Sequence, residues 1–547
     1  MLFPFALAAT LATATAIPAG AFVTVDGNHF SVGGRPFAFV GANLDVMHGQ
    51  ARAHAAATIA AAASDGLTVG RIWALGEGDA QSPPWSRANQ LFRVAPDQWL
   101  DAADVQLDRV LASAREHGLR VIITLSNNWD DFGGIRQYLA WAGLPSDGFG
   151  DRDAFFRDAR TRAFYRAHLM HLLGRVNSVN GTPYVDDPTI FAWELMNESM
   201  VATPEGAAAR AEWIESMARF IRARDGHHLV TPGVMGYTSR QERAQWLDVC
   251  RLPSVDYCDS HLYPETTDHV ASLTRLEAYI DDRVQLAQHV ARKPIVFGEF
   301  GFHTDRAEWL ARPRAEWFER FLARAVYDGA AGALAWIYQP WSGHARDFGI
   351  YVDRADTDDV RAQMRTYARL MQAAPTSHNP RLSDLAGDRL LYDPYVTEAR
   401  SPHQHLQDGV IAIPPAAFAG ARWERLGSWG SGADAHAFGG GDGWFEYVFT
   451  LDRAATPTVV ARLSSEWPGN RAPIDGGSRV LVRVDDTVVT RIDVIPDDGH
   501  GRAERVTLPR LSRGRHVLRL EVPAGARAHG LCVYGDEQFP LRLTLTK

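Results

Sequence analysis

Short apolar runs of strand-forming residues recur through the first part of this chain, and each run is followed by a segment long enough for a helix. The runs are residues 37–41, 68–73, 120–125, 190–195, 229–231, 255–261, 295–298 and 332–338. Parallel strands need a crossover connection, usually a helix, so this alternation favours a parallel sheet. Eight such units predict an α/β protein with a (β/α)8 TIM barrel.

Several connecting segments carry their own local signals. Residues 51–63 are dense in alanine, the best helix former, and they end at an Asp-Gly pair. Residues 97–117 and 159–176 predict further long helices. Residues 22–30 hold Asp26-Gly27-Asn28 between two strand-like runs, so we expect a hairpin that closes the bottom of the barrel. The predicted barrel domain spans residues 22–372.

The chain changes character near residue 373. Residues 373–405 are rich in turn-forming residues and predict a connecting segment. Further on, alternating runs at residues 444–449, 478–484 and 516–522 are separated by Gly, Asp and Pro. This pattern predicts an all-β sandwich over residues 406–547.

The composition restricts the class of partner. Apolar residues make up 46% of the chain, which is ample for a core, and the formal net charge is −9. A nucleic-acid or anionic-membrane surface would need a basic face, so we expect neither partner. A neutral polymer or small ligand fits better, and we expect a monomer.

The N-terminus indicates a leader sequence. Residues 2–17 are small and apolar, too short to span a bilayer, and they precede Pro18-Ala19-Gly20-Ala21. We interpret residues 1–21 as a signal peptide, which predicts a secreted or periplasmic protein. A hydrophobic first strand is the alternative.

The three cysteines leave two interpretations open. Cys250 and Cys258 are close enough in sequence to form a disulfide in an oxidising compartment, and two buried thiols are the alternative. Neither interpretation makes a zinc site, because the chain has no CxxC or HExxH spacing.

Two of the apolar runs stop at a carboxylate. Glu198 follows residues 193–197, and Glu299 follows residues 295–298. The strand C-termini of a parallel barrel open onto one face, so the two acids can meet across a cleft. Two facing carboxyl groups are what cleavage of a glycosidic bond needs, one to protonate the leaving oxygen and one to attack or to activate water. The alternatives are a solvated surface charge for Glu198 and a structural ion pair for Glu299.

Other side chains are expected around these acids. Arg71, inside an apolar strand, needs a carboxylate partner, and Glu299 is the natural one because pairing would keep it ionised. His261 and Tyr263 end the sixth strand, beside the acid of the seventh. Trp336 could form a flat floor for a sugar ring. Further tryptophans near loops of the same face are Trp73, Trp129, Trp141 and Trp341. For each of these, packing or a salt bridge elsewhere is the alternative.

This set of residues resembles glycoside hydrolase family 5 over about residues 22–372. The family carries Arg on strand two, Asn-Glu after strand four, His-x-Tyr after strand six, Glu after strand seven and Trp after strand eight. In order, these match Arg71, Asn197 with Glu198, His261 with Tyr263, Glu299 and Trp336.

Residues 127–134, 193–198 and 297–301 are similar to the β-mannanases of that family. Two departures stand out. Many family members have His after strand three, where this chain offers Asn127 or Asn128. The mannanase pattern continues Asn-Glu-Pro-Arg, where this chain has Ser199-Met200.

The resemblance implies a retaining hydrolase of β-1,4-mannosidic bonds in mannan or glucomannan, with Glu299 as nucleophile and Glu198 as acid/base. We expect the pKa of Glu198 to be raised by partial burial and by the charge of Glu299. The supporting residues would be Arg71, Trp73, Asn128, Trp129, Asn197, His261, Tyr263 and Trp336. The chemistry needs no cofactor and no metal.

Three alternatives stay open. The enzyme could be an exo-β-mannosidase or a β-1,4-glucanase of the same family, since the loops at residues 76–96 and 127–157 could line a groove or close one end of it. A non-catalytic carbohydrate-binding protein is the alternative from another class.

The C-terminal region resembles the galactose-binding-like modules often attached to glycosidases, through residues 444–447 and 530–534. It could bind polysaccharide or buttress the barrel, and a structural calcium there is left open. The candidate binding residues are Trp423, Trp429, Trp444 and Trp467.

Overall fold

The computed structural model describes most of the barrel region and the strands of the C-terminal region. The described residues are 17–146, 148–237, 240–263, 273–303, 313–339, 348–383, 405–407, 410–413, 415, 418–429, 436–465, 477–494, 502–525, 530–534 and 541–545. The predicted signal peptide up to residue 16 and most of the predicted connecting segment lie outside the described residues, as do Trp341 and Trp467.

Eight parallel strands form the barrel, and the predicted fold class is confirmed. They are β1 (Phe39–Leu44), β2 (Val69–Trp73), β3 (Arg120–Thr124), β4 (Ile190–Glu194), β5 (Leu229–Thr231), β6 (Cys258–Leu262), β7 (Ile295–Phe300) and β8 (Gly332–Gln339). The order of pairing is β5-β4-β3-β2-β1-β8-β7-β6. Between the two end strands, the Asp256 carboxylate accepts from the Val230 N–H at 2.7 Å and the His261 N–H donates to the Met235 carbonyl at 2.8 Å.

Within the described residues, a helix follows each barrel strand. The helices are α1 (Ala55–Ser64), α2 (Asp101–Glu116), α3 (Ala159–Leu173), α4 (Pro204–Arg222), α5 (Arg240–Cys250), α6 (Leu273–Gln285), α7 (Arg314–Asp328) and α8 (Asp358–Ala373). The α4 start shows why the sequence folds this way. Pro204 takes the first helical position, and the Thr203 hydroxyl accepts from the Gly206 N–H at 2.9 Å.

Three elements begin later than the sequence predicts, because the residues before them belong to another strand or turn. The first barrel strand begins at Phe39 because Arg35–Phe37 pairs with the N-terminal hairpin instead. The helix predicted over residues 51–63 begins at Ala55, after a 3-10 turn at Gly49–His54. The helix predicted from residue 97 begins at Asp101, because Gln98–Trp99 pairs with Arg93–Ala95.

Shorter helices and strands lie in the loops between these elements. These are the helical turns Pro84–Asn89, Gly134–Trp141, Phe149–Arg152, Asp153–Arg157, Tyr184–Asp186, Ala355–Thr357 and Pro380–Ser383, the π-helical extension Leu286–Ala291, and the strand Ile350–Tyr351 beside β8. Several of them lie in the loops that follow β2 and β3, at the end of the barrel where the candidate site is found.

The bottom of the barrel is closed by an N-terminal antiparallel sheet, as predicted. Its strands are Val23–Asp26, His29–Val32 and Arg35–Phe37. Phe30 is fully buried and packs edge-on against Phe191 and Tyr257. Apolar side chains from the N-terminal halves of the barrel strands complete this cluster. In the described part of the barrel, a site is therefore expected at the opposite end.

The C-terminal region is antiparallel and has its own apolar core. Its strands are His405–Gln407, Val410–Ile413, Gly420–Trp429, His436–Leu451, Pro457–Ser464, Ser478–Val484, Thr487–Val494, Arg502–Thr507, Gly514–Val522, Leu531–Tyr534 and Leu541–Leu545. Every second residue of Ser478–Val484 is buried, which is the period of a strand with one face on a core. The predicted all-β character is confirmed.

Two other sequence questions are answered by the described residues. Cys250 and Cys258 are both free and buried, so the chain has two buried thiols here rather than a disulfide. In the part of the chain that the structure describes, no helix is long and apolar enough to cross a bilayer.

Candidate active site

Arg71 is the centre of the hydrogen-bond network at the open end of the barrel. Its Nε and Nη2 donate to the two carboxylate oxygens of Glu194 at 2.8 and 2.6 Å. Its Nη1 donates to Glu299 Oε1 at 2.7 Å and to Asn43 Oδ1 at 2.8 Å, and Nη2 also donates to Asn197 Oδ1 at 2.7 Å. The predicted pairing with Glu299 is present. Glu194 is an additional, bidentate partner that the sequence analysis did not identify.

Glu198 lies just beyond β4 in a left-handed backbone conformation, with φ of 53°. A non-glycine residue in this region costs about 1–3 kcal/mol and persists only where its surroundings hold it. Here two donors hold the carboxylate. His261 Nδ1 lies 2.8 Å from Oε1, and the Trp129 indole N–H donates to Oε2 at 2.5 Å. The loop conformation thus aims the carboxyl group into the barrel mouth.

Glu299 lies within β7 and is 5% exposed. The Tyr263 hydroxyl donates to its Oε2 at 2.7 Å, while Oε1 accepts from Arg71. His261 Nδ1 is 3.5 Å from Oε2, so this imidazole stands between the two glutamates. The structure therefore brings His261 and Tyr263 to the acids, where the sequence analysis expected them.

The two carboxyl groups are close together. One oxygen of Glu198, one oxygen of Glu299 and one nitrogen of His261 all lie within 4.8 Å of one another. Such a cluster could surround a cation, but these carboxylates already accept hydrogen bonds from Arg71, Tyr263, Trp129 and His261. A guanidinium and an imidazole thus supply the positive charge that a metal would otherwise bring.

The pKa of Glu198 shifts opposite to the sequence expectation, and the pKa of Glu299 shifts upward. Burial acts to raise the pKa of Glu198, but the hydrogen bond and charge of His261 outweigh it, and the pKa is lowered. Burial raises the pKa of Glu299 in spite of the nearby His261 and Arg71. The prediction of a raised pKa for Glu198 is therefore wrong for the free site. The reason is that His261 Nδ1 lies closer to Glu198, at 2.8 Å, than to Glu299, at 3.5 Å, and the sequence does not reveal this difference. The predicted pairing with Arg71 does act to lower the pKa of Glu299, but burial has the larger effect.

His261 and Asp259 are a second buried pair, on β6. Burial would lower the pKa of His261, yet Glu299, Glu198 and Asp259 raise it to about 9. Burial raises the pKa of Asp259 to about 7, partly offset by His261. Asp259 was missed by sequence reasoning. An acid inside an otherwise apolar strand was the available signal.

A cavity of about 210 Å³ opens beside Arg71. The rings of Trp73 and Trp336 are tilted by 37° with centroids 5.8 Å apart. Phe132 stacks on His48 at 4.3 Å and meets Trp73 edge-on. Trp73 and Trp336 therefore line an aromatic pocket next to the acids, where the sequence analysis expected a sugar platform.

The polar residues after β3 have different positions. Asn127 Oδ1 accepts from Asn197 Nδ2 at 2.9 Å, which ties it to the Arg71 network. Asn128 instead accepts from the Met200 N–H at 3.3 Å and holds the loop after β4.

Trp141, another of the tryptophans expected near the site, donates to the Gly78 carbonyl at 3.1 Å and so joins the loops that follow β2 and β3.

The candidate sugar-binding tryptophans of the C-terminal region differ in how far their side chains are buried. Trp423 is buried in the core, while Trp444 is partly exposed with Arg519 over its ring at 5.0 Å. The side chain of Trp429 lies outside the described residues. Only Trp444 is therefore described as reaching the surface.

Residues 20–339 match the family model described as GH family 5 beta-mannosidase-like. The chain belongs to glycoside hydrolase family 5. It is 31% identical over 349 residues to a mannan endo-1,4-beta-mannosidase of Arabidopsis thaliana, a match that spans 59% of this chain and 78% of that one. A mannan endo-1,4-beta-mannosidase of rice is 31% identical over 305 residues, covering 52% and 69%. The resemblance found in the sequence is confirmed, and the protein is a glycoside hydrolase.

Solved structures of this family show the same barrel. The endo-1,4-beta-D-mannanase of Thermotoga petrophila superimposes with a TM-score of 0.54 at 26% identity, covering 61% of this chain and 100% of that one. Another structure of an endo-beta-1,4-mannanase from Thermotoga petrophila, at 21% identity and a TM-score of 0.55, covers 88% of this family 5 chain and 99% of its own. That second likeness is one of fold alone.

Proposed function

We propose that this family 5 enzyme hydrolyses β-1,4-mannosidic bonds with net retention, by double displacement. The observation that carries the proposal is the close approach of Glu198 and Glu299, whose nearest described oxygens lie within 4.8 Å. Retaining glycosidases place their two carboxyl groups about 5–5.5 Å apart, whereas inverting enzymes need about 6.5–9.5 Å to admit a water.

In the first step, Glu299 attacks the anomeric carbon. Its Oε1 is held by Arg71 and its Oε2 by the Tyr263 hydroxyl, so the carboxylate cannot rotate away from the sugar. The bond from the anomeric carbon to the leaving oxygen breaks as the bond to Glu299 forms. Because Arg71 stays protonated, it stabilises the ionised form of Glu299 that must attack.

The leaving oxygen needs a proton, and Glu198 delivers it. In the free site the proton is on His261, since the pKa of His261 is raised to about 9 while that of Glu198 is lowered. A shift of that proton across the 2.8 Å hydrogen bond makes Glu198 the acid. Trp129 keeps the other carboxylate oxygen in place.

In the second step, the glycosyl-enzyme is hydrolysed by water. Formation of the ester removes the charge of Glu299, and Glu198, now ionised, takes a proton from the incoming water. Water attacks the face that the leaving sugar vacated, so the product has the configuration of the substrate. The bond from the anomeric carbon to Glu299 breaks as the bond to the water oxygen forms, and the freed carboxylate regains its charge beside Arg71 and Tyr263.

Mannan is the proposed substrate class. The curated relatives named above are mannan endo-1,4-beta-mannosidases, and the family model matches residues 20–339, which include the site. The aromatic pocket of Trp73 and Trp336 supports this, because CH faces of a sugar ring pack on indole. A mannan chain is too large to enter a cell intact, so we also propose that the enzyme acts outside the cytoplasm, in line with the predicted signal peptide.

A reducing-sugar assay with linear mannan, glucomannan and cellulose side by side tests the proposal. We expect release from the first two substrates, and oligosaccharide products of several sizes from mannan. The product configuration, followed by NMR before mutarotation, should be the β-anomer. Release from cellulose alone would contradict the mannan assignment, and mannose as the sole product would contradict internal cleavage.

A further inference from the structure

Asp259 is a buried acid in which only one of the two carboxylate oxygens accepts a hydrogen bond from a described residue. It is 1% exposed, and its Oδ1 accepts from the Gly298 N–H at 3.0 Å. Its Oδ2 lies 3.7 Å from His261 Nε2. Among the described residues, neither Oδ2 nor Nε2 has a hydrogen-bond partner. The two atoms face each other as an unused buried pair.

The backbone of β7 fixes the orientation of this carboxylate. A Cβ at position 298 would lie 2.3 Å from Asp259 Oδ1, so glycine there leaves the space that the carboxylate occupies. Because Oδ1 is held by the Gly298 N–H, Oδ2 must be the atom turned to His261.

The charges around Asp259 come from four strands. Arg71 on β2, Glu194 on β4, His261 on β6 and Glu299 on β7 all act on it. The Tyr257 hydroxyl and the Cys250 thiol also lie near enough to feel its charge. Together with Glu198, the network contains four buried carboxyl groups but only two groups that can carry a positive charge, the Arg71 guanidinium and the His261 imidazole. Buried charge of one sign is costly, so the placement of each proton matters.

We propose that Asp259 is a positioning residue of the reaction. The carboxylate oxygen 3.7 Å from Nε2 favours a proton on that nitrogen, so that only the Nδ1 side of the imidazole exchanges a proton with Glu198. This inference rests on the proposed function. The partner of one imidazole nitrogen decides the tautomer at the other.

The proton transfer balances without any further group. The Nδ1–H bond of the His261 cation breaks, its electron pair stays on Nδ1, and an O–H bond forms on Glu198 Oε1. The neutral imidazole that remains carries its proton on Nε2, facing Asp259. Glu198 can then donate to the leaving oxygen, and the reverse shift restores the pair after turnover.

The variant Asp259→Asn tests this role because the Gly298 N–H orients the new amide. The amide oxygen takes the position of Oδ1, and the NH2 group faces Nε2. An NH2 group in this position favours an unprotonated Nε2, so His261 keeps its proton on Nδ1 and Glu198 stays ionised. We expect kcat/KM on mannotetraose to fall about 10²–10⁴-fold, the usual contribution of general acid catalysis.

A substrate that needs no acid separates this role from a structural one. On dinitrophenyl β-mannobioside, whose leaving group departs without a proton, Asp259→Asn should stay within about threefold of the wild type. The control Asp256→Asn removes a charge from the segment before β6, where Asp256 bonds the Val230 N–H and Arg222. It should leave the ratio of the two activities unchanged. Equal loss on both substrates with Asp259→Asn, or no loss on either, overturns the proposal.

A second measurement reads the wild-type enzyme and needs no substrate. Nitrogen-15 NMR of histidine-labelled wild-type enzyme, with His261→Gln used to assign the signal, reports the protonation of each ring nitrogen. We expect Nε2 to stay protonated as the imidazole is titrated through its pKa near 9. Loss of the Nε2 proton first overturns the inference. If the wild-type enzyme cleaves no mannoside, the proposed function fails, and this experiment still tests the Asp259–His261 pair.

Discussion

Arg71 donates two hydrogen bonds to Glu194 and only one to Glu299. The guanidinium is therefore held in position by Glu194, at the end of β4, while the Glu299 carboxylate that is proposed to attack receives a single hydrogen bond from Nη1. The nucleophile can change its charge during the reaction without the cation losing its main partner. Arg71 thus acts as a fixed donor at the centre of the site.

Glu194→Gln should destabilise the barrel strongly. Glu194 is 1% exposed, and removal of its charge leaves Arg71 buried with less compensation, which typically costs about 3–5 kcal/mol. The measurement is the free energy of unfolding by urea. The matched control is Glu212→Gln, which breaks the pair with Arg162 where Glu212 is 62% exposed, and it should cost less than about 1 kcal/mol. Similar losses in the two variants would contradict the central role of Glu194.

Glu299→Ala should abolish turnover and keep the fold. Added azide can enter the space left by the carboxylate, and the rescued reaction should give a glycosyl azide of inverted configuration. Glu198→Ala provides the contrast. It should lose about 10²–10⁴-fold on mannan yet retain activity on dinitrophenyl β-mannobioside, and azide should give a product of retained configuration. Normal activity of Glu299→Ala, or an exchange of the two outcomes, would contradict the assigned roles.

Trp336→Ala should weaken oligosaccharide binding. The ring lines the 210 Å³ cavity beside Trp73, so its loss removes one apolar wall. We expect kcat/KM on mannotetraose to fall about tenfold, equivalent to about 1.4 kcal/mol. Trp336→Phe should fall between this variant and the wild type. Calorimetric binding of mannotetraose to Glu299→Ala, with and without the Trp336 change, measures the loss directly, and equal affinities would exclude Trp336 as a sugar contact.

Glu77→Gln should remove part of the pH dependence of stability. Burial raises the pKa of Glu77 from 4.5 to about 7, in spite of Arg93 and the Gly134 N–H. Between these two values the folded protein keeps a proton that the unfolded chain has lost, so stability falls as the pH rises through that window. A shift of this size corresponds to about 3 kcal/mol.

The check on Glu77 is urea unfolding at pH 4.5 and at pH 8. The difference between the variant and the wild type should grow in favour of Glu77→Gln as the pH rises. Glu116→Gln, which changes an exposed glutamate at the end of α2, should leave the pH dependence as it is. A constant offset across the pH range would contradict ionisation of Glu77 as the cause.

Much of the site was readable in the sequence because strand ends are local features. Glu198, Glu299, His261, Tyr263 and Trp336 each follow or end a short apolar run, and a parallel barrel brings such positions to one face. Trp129 and Asn197 also lie just after barrel strands and were identified for the same reason. In the structure Trp129 donates to Glu198, and Asn197 accepts from Arg71.

The partners that tune the acids were not readable in this way. Asn43, Glu194 and Asp259 lie inside strands whose neighbours read as buried core, and nothing local says that their polar atoms meet Arg71 or His261. Arg71 and Glu299 are 228 positions apart in the chain, and the barrel alone makes them neighbours. The directions of the pKa shifts follow from those meetings.

The sequence by itself determined the barrel, the all-β region after it, and which two carboxyl groups share the open end. Those features depend on periodicity and on where apolar runs stop, which are properties of short segments. Only the tertiary structure decided that His261 lies closer to Glu198 than to Glu299, that Glu194 holds Arg71, and that Asp259 faces the imidazole. The physical reason is that proton affinity depends on distances of a few ångströms between residues far apart in the chain, and closure of the barrel sets those distances.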